Sequence, residues 1–217
     1  ISNKDIENVK DCDSEAHDKS AFLRFYTEKE FANLPHPITV CFKKRDAGKK
    51  SFTHCLHVIG QSSALAEAIL IRTALSILSE RGFEHTVVEI NSIGDKDSIS
   101  AYERELHQFV RKNANELEPE HKKILKDDIY EILNLKLPDN LKDKIPPTLA
   151  SLTTSSRAHF KEMLEYLEAL GVDFRLTHTL VGNKSFASHT VFNIKDADDQ
   201  TLLAEGYRYT RLTKKLG

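Results

Sequence analysis

The sequence predicts an α+β fold in which a mostly antiparallel sheet is flanked by helices and interrupted by a helical insertion. Three observations carry that expectation. Short β-forming runs come in hairpin-like groups rather than alternating one by one with helices. Between and beside those groups lie segments with apolar residues at helical spacing. A third stretch, from about Asp95 to Leu152, is charged, helix-punctuated and closed by Pro146-Pro147, which reads as an insert.

The elements follow in order. Residues 1–20 are polar, acidic and without sustained periodicity, so they are expected to form a loose arm. Ile38-Thr39-Val40-Cys41-Phe42 and Cys55-Leu56-His57-Val58-Ile59 form a hairpin around the turn chemistry of Asp46-Ala47-Gly48, with Gly60 as its stop. Ser62 or Ser63 is placed to cap a helix running to about Glu80, ended by Gly82. Thr86-Val87-Val88-Glu89-Ile90 is a strand. Asp97 to Asn113 repeats Ala101, Leu106, Phe109 and Val110 at helical spacing, and Glu118-Pro119-Glu120 starts another helix with proline in its first turn. Ser155 or Ser156 begins a further amphipathic helix that stops at Gly171. Val172 to Leu176, Thr190 to Ile194 and Thr201 to Ala204 supply strands, the last two joined by the turn-like Asp196-Ala197-Asp198-Asp199.

The 217 residues can bury a real core without disulfides. Three cysteines, Cys12, Cys41 and Cys55, show no bridged spacing, so reduced thiols and a cytoplasmic location are expected. No apolar run approaches the roughly 20 residues of a membrane helix, and no membrane association is expected. A net charge of −2 excludes a strong global pull toward nucleic acid. A local one remains in the basic hairpin tip, where Lys44, Lys49 and Lys50 join Lys43 and Arg45, with Phe52 and His54 as stacking candidates. In the insert, Lys122 and Lys123 are further candidates for RNA contact, against the plainer reading of a solvated helix face. No metal site is expected: strand alternation separates His54 from Cys55 and His57, and no Cys-x-x-Cys pair accompanies them. Ser185, Ser188 and His189 lack the elbow and the orienting acid of a hydrolase.

Asn91-Ser92-Ile93-Gly94-Asp95, Ser155 to Phe160, Leu170-Gly171-Val172, Leu180-Val181 and Thr190-Val191-Phe192 form an ordered set of segments that resembles bacterial histidyl-tRNA synthetase, a class II aminoacyl-tRNA synthetase. Asn91-Ser92-Ile93-Gly94-Asp95 resembles the junction between catalytic core and insertion domain. Ser155-Ser156-Arg157-Ala158-His159-Phe160 and Leu170-Gly171-Val172 resemble the helix and strand leading into the histidine loop. Leu180-Val181 and Thr190-Val191-Phe192 match the loop's borders, and Leu203 to Tyr209 with Leu216-Gly217 is similar to the glycine-rich strand that follows. The resemblance implies a class II antiparallel sheet flanked by helices, organised as an arm (1–20), a discontinuous core (21–94 and 153–217) and a helical insertion (95–152).

The same resemblance locates what is missing. The family's loop reads Arg-Gly-Leu-Asp-Tyr-Tyr, its arginine stabilising charge during adenylate formation and its tyrosines shaping the imidazole pocket. Those positions are Gly182, Phe186 and Ala187 here. The second class II motif holds ATP with phenylalanine-arginine and then a glutamate; this chain has Phe42-Lys43, with Arg45 in place of the acid. The histidine-binding glutamine and glutamate fall near Thr53 and His57. The expected function is therefore a synthetase-like protein without catalytic residues, binding RNA, tRNA included, or a protein partner, itself included as a homodimer. No cofactor is expected, with ATP and Mg entering only where synthetase activity survives. The alternatives are a truncated active histidine–tRNA ligase and a regulatory subunit of histidine biosynthesis.

Overall fold

The computed structural model describes residues 14–45, 51–183 and 186–210. These divide into two compact units between Ser62 and Ser63. Lys49, Lys50, the Asp46-Ala47-Gly48 turn and Leu216-Gly217 lie outside the described residues.

The first unit contains α1 (Ser14–Glu28), a 3-10 turn (Phe31–Asn33) and an antiparallel hairpin of β1 (Ile38–Arg45) and β2 (Phe52–Ile59). The helix begins inside the segment expected to be an arm. Its buried residues, Phe22 and Leu23, lie in its later turns, and once they anchor a helix the polar turns before them add one hydrogen bond per residue without a second nucleation cost. The two strands pair as the expected hairpin, and the register sets Val40 opposite His57 and Lys43 opposite His54. Its inner face meets α1 through three rings: His57 stacks on Phe22 at 4.1 Å and on Phe42 at 5.4 Å.

The second unit carries a four-stranded sheet in the order β4-β3-β5-β6, formed by β3 (Thr86–Gly94), β4 (Phe174–Leu176), β5 (Ser188–Asp196) and β6 (Leu202–Arg208). β3–β5 and β5–β6 are antiparallel, whereas β3–β4 is parallel. The parallel pair arises because the chain leaves β3 through the whole insertion and a helix before returning, a connection long enough for a crossover. Glu89, buried at the centre of β3, is paired from both neighbouring strands by Arg175 and by Lys195 at 2.9 Å.

Two helices, α2 (Leu65–Glu80) and α6 (Thr154–Ala169), pack on this sheet around Ile71, Val88, Ile90, Met163, Leu167 and Ile194. α6 closes as the sequence anticipates: the Gly171 amide bonds to Glu168 and the Val172 amide to Leu167, and both Val172 and Leu167 are buried. The start of α2 differs from expectation. Neither serine caps it; Ala64 is the N-cap and the Ser63 carbonyl instead accepts a bond from Arg208 at 2.9 Å.

The insertion comprises α3 (Lys96–Lys112), α4 (Pro119–Asp127), α5 (Asp139–Lys142) and 3-10 turns at Ile129–Leu133 and Thr148–Ser151. It has its own apolar core, in which Tyr102, Leu106, Phe109, Leu125, Ile132 and Leu141 are buried. Pro119 stands at the first turn of α4, as read from the sequence. No helix among the described residues is long and apolar enough to cross a membrane.

Candidate functional site

Asn91 to Gly94 were expected between strand and helix, but they continue β3, Asn91 opposite Val191 and Ser92 opposite Thr190. The strand therefore delivers the chain directly to the root of the insertion. Asp95 caps α3, accepting from the Ser98 amide at 2.9 Å and the Ser98 hydroxyl at 2.8 Å. It also accepts from the Thr153 hydroxyl at 2.7 Å, and Thr153 is the N-cap of α6. The Asp95 amide donates to Ser156 at 3.0 Å, and the Thr153 amide to Ser98 at 2.9 Å. Entry and exit of the insertion are thus stapled together. Partial desolvation raises the Asp95 pKa, but the bonds from Ser98, Thr153 and Ser156 outweigh it and hold the carboxyl far below the ordinary range. Gly94 has φ +71°, and a Cβ there would stand 2.5 Å from Ser98 and 2.7 Å from Leu152, so only glycine lets the entry and exit segments of the insertion approach.

The loop that follows β4 is tied back to β3. The Thr177 amide bonds to Ile90, and Asn91 Nδ2 donates to the Leu180 carbonyl at 2.8 Å. At the far end of the loop Ala187 is fully buried, clustered with Ile93, Ile99 and Val191. Ala187 therefore presents only a methyl group to this apolar cluster. Phe186 is half-buried, and Gly182 is exposed at φ +60°. A Cβ on Gly182 would lie 3.0 Å from Val191 Cγ1, so the backbone has settled into a conformation that a side chain disfavours by roughly 1–2 kcal/mol.

Beside this loop lies a polar cluster. Glu67, in the first turn of α2 and only 5% exposed, accepts from Arg208 Nε at 2.8 Å and from Arg208 Nη2, and shares a 2.7 Å bond with His159 of α6. Burial raises the Glu67 pKa, yet the bonds from His159 and Arg208 prevail and lower it. The His159 ring lies 4.7 Å from that of His189. His189 occupies a bulge of β5 at φ +52°, a conformation uncommon outside glycine that aims its ring out of the strand's alternation. Its buried Nδ1 has no hydrogen-bond partner among the described residues. Burial, then repulsion from His159 and Arg208, lower its pKa to about 4.

The remaining candidates fall elsewhere. Lys43 is exposed on β1, its Nζ 4.0 Å from the centre of the half-exposed Phe52 ring, a cation–π contact. Lys44 is partly covered and pairs across the hairpin with Thr53, which is exposed; Arg45 pairs with Phe52. His57 is buried in the stack with Phe22 and Phe42, so it serves packing. Lys122 and Lys123 are exposed on α4. Among the described residues no three His, Cys, Asp or Glu side chains are arranged to hold a metal ion. Glu67 and Arg208 are the pair that reading the sequence missed. The signal was present: Glu67 sits at i+3 from Ala64 and i−4 from Ile71, an acid inside the buried stripe of α2.

The sheet, its flanking helices and the stapled insertion have the fold seen in histidyl-tRNA synthetases, to which the chain is similar. No family model matches the chain. The histidine–tRNA ligase of Thermosynechococcus vestitus is 29% identical over 182 residues, covering 81% of this chain and 42% of that protein. The apo histidyl-tRNA synthetase of S. aureus superposes with a TM-score of 0.67 at 24% identity, over 90% of this chain and 50% of the other. A chain of the ATP phosphoribosyl transferase complex of Thermotoga maritima matches with a TM-score of 0.50 at 18% identity, over 87% of this chain and 74% of that one. The chain spans less than half the length of the curated relatives it matches.

Proposed function

We propose that this chain is a catalytically silent histidyl-tRNA synthetase-like module that binds RNA without activating histidine. One observation carries the reading: at the positions the resemblance assigns to substrate, the loop has Gly182 in a left-handed conformation and Ala187 sealed into an apolar cluster. A site without its cation lacks the fixed charge that adenylate formation needs, and one without its hydroxyls discriminates imidazole poorly. The buried acid nearby, Glu67, is occupied by Arg208 and His159. RNA is assigned to the hairpin, where the exposed Lys43 lies over one face of the half-exposed Phe52 ring and brings a cation and an aromatic ring together. A cytoplasmic location fits the three cysteines, Cys12, Cys41 and Cys55, whose spacing is not that of a bridged framework. Calorimetric titration tests it: no histidine heat is expected with or without ATP, whereas single-stranded RNA binds with a salt-dependent affinity. Micromolar histidine binding would overturn the reading.

A second reading is favoured by the likeness to a chain of the ATP phosphoribosyl transferase complex, of which this chain covers the larger share. There the module would be a regulatory subunit with a protein partner. Co-elution with a phosphoribosyl transferase on size exclusion, together with absent RNA binding, selects it.

A further inference from the structure

We infer that the helical insertion and the loop segment 177–182 open as one unit, so that a ligand engaging the insertion is felt at the loop. Three contacts, each between residues distant in sequence, carry this. Asn91 is 1% exposed and uses both ends of its amide: Oδ1 accepts from Thr148 at 3.0 Å, and Nδ2 donates to the Leu180 carbonyl at 2.8 Å. Thr148, 2% exposed, belongs to the last turn of the insertion. A carboxamide held this way has no freedom to release one partner without reorienting toward the other. Because a buried polar group left unpaired costs its full desolvation penalty, loss of the Thr148 bond also loosens the Leu180 bond.

The apolar contacts run the same way. Val181 packs against the insertion's own core and also against the cluster of Ile93, Ile99, Ala187 and Val191. Ile99 stands on α3, the first helix of the insertion, and is buried in the cluster beneath the loop. The insertion thus contributes a side chain to the loop's support, and the loop contributes one to the insertion's core. Closely packed groups shared by two elements have few intermediate arrangements, so the two are expected to exchange between discrete joint states. The coupling does not depend on which partner binds, and it stands whether or not RNA is the ligand. By reciprocity, anything that orders the loop also strengthens binding at the insertion.

Native-state amide exchange on the full chain, read by mass spectrometry, tests this. Leu125→Ala opens a cavity in the insertion core, and Leu125 is not part of the cluster of Ile93, Ile99, Ala187 and Val191 that supports the loop. The expected result is at least a tenfold faster exchange in residues 177–182 alongside the insertion, while Ile90 in β3 stays protected. In a Thr148→Val, Val181→Ala background, Leu125→Ala should still accelerate the insertion but no longer the loop. Acceleration confined to the insertion in the otherwise native chain would overturn the inference, and so would a loop response that survives in the uncoupled background. If Ile90 also exchanges, signalling global unfolding, Leu125→Val replaces the alanine and is judged by the same criteria.

Discussion

Arg208, the last residue of β6, holds Glu67 in the first turn of α2 through both Nε and Nη2, closing the sheet edge onto a helix 141 residues away in sequence. The pair is almost out of solvent, with side-chain exposures of 14% and 6%. Such a pair costs desolvation to form, so its value lies in what breaking it leaves behind. Arg208→Met leaves a buried carboxylate with His159 in place of its guanidinium partner and is expected to lower unfolding free energy by about 3 kcal/mol. The double variant Glu67→Leu, Arg208→Met should lose distinctly less. Urea denaturation followed by circular dichroism measures both, and equal losses would assign the effect to packing alone.

His189 makes stability depend on pH. Its folded pKa, about 4, lies below its ordinary value, so the unfolded chain binds a proton first as pH falls. The contribution is fully present above about pH 6.5 and is lost on acidification toward pH 4. His189→Asn keeps a residue that tolerates the left-handed backbone and removes the titration. The melting temperature of the native chain should fall between pH 6.5 and 4 more steeply than that of the variant. Parallel curves would show that His189 does not carry the effect.

Asp95 behaves in the opposite range. Its folded pKa is depressed, so its contribution is present above about pH 4 and is lost as pH falls further. Asp95→Ala removes a helix cap and the clasp on Thr153, with an expected loss of about 2 kcal/mol at pH 7 that shrinks below pH 4. Chemical denaturation at pH 7 and pH 3 reads this directly, and a pH-independent loss would contradict the assigned role.

At the hairpin, Phe52→Ala is expected to weaken single-stranded RNA binding by about 1–3 kcal/mol, the range for one base stacked on an aromatic ring. Lys43→Ala should weaken it less and reduce the slope of log K against log salt by about 0.7. Filter binding at several salt concentrations separates the two. Unchanged affinity in both variants moves the RNA site off this hairpin.

Much of the fold was legible in the sequence because local chemistry and tertiary need agree there. Gly171 and Gly82 stop their helices, Pro119 opens one, and the two β-forming runs from Ile38 and Cys55 pair as a hairpin. The misses share a cause: long-range partners overrode local signals. Ser63 gives its carbonyl to Arg208 and does not cap α2, and Asn91 to Gly94 look like a turn yet pair with β5. The resemblance directs attention to Gly182 and Ala187, but neither the bulge at His189 nor the Glu67–Arg208 pair follows from neighbouring residues.

The central claim is that the loop carrying Gly182 and Ala187 no longer activates an amino acid. Histidine-dependent exchange of pyrophosphate into ATP, measured on the complete product of the reading frame beside a competent histidyl-tRNA synthetase, tests it most directly. Exchange indistinguishable from the blank without histidine is the predicted result; a rate approaching that of the competent enzyme would contradict it.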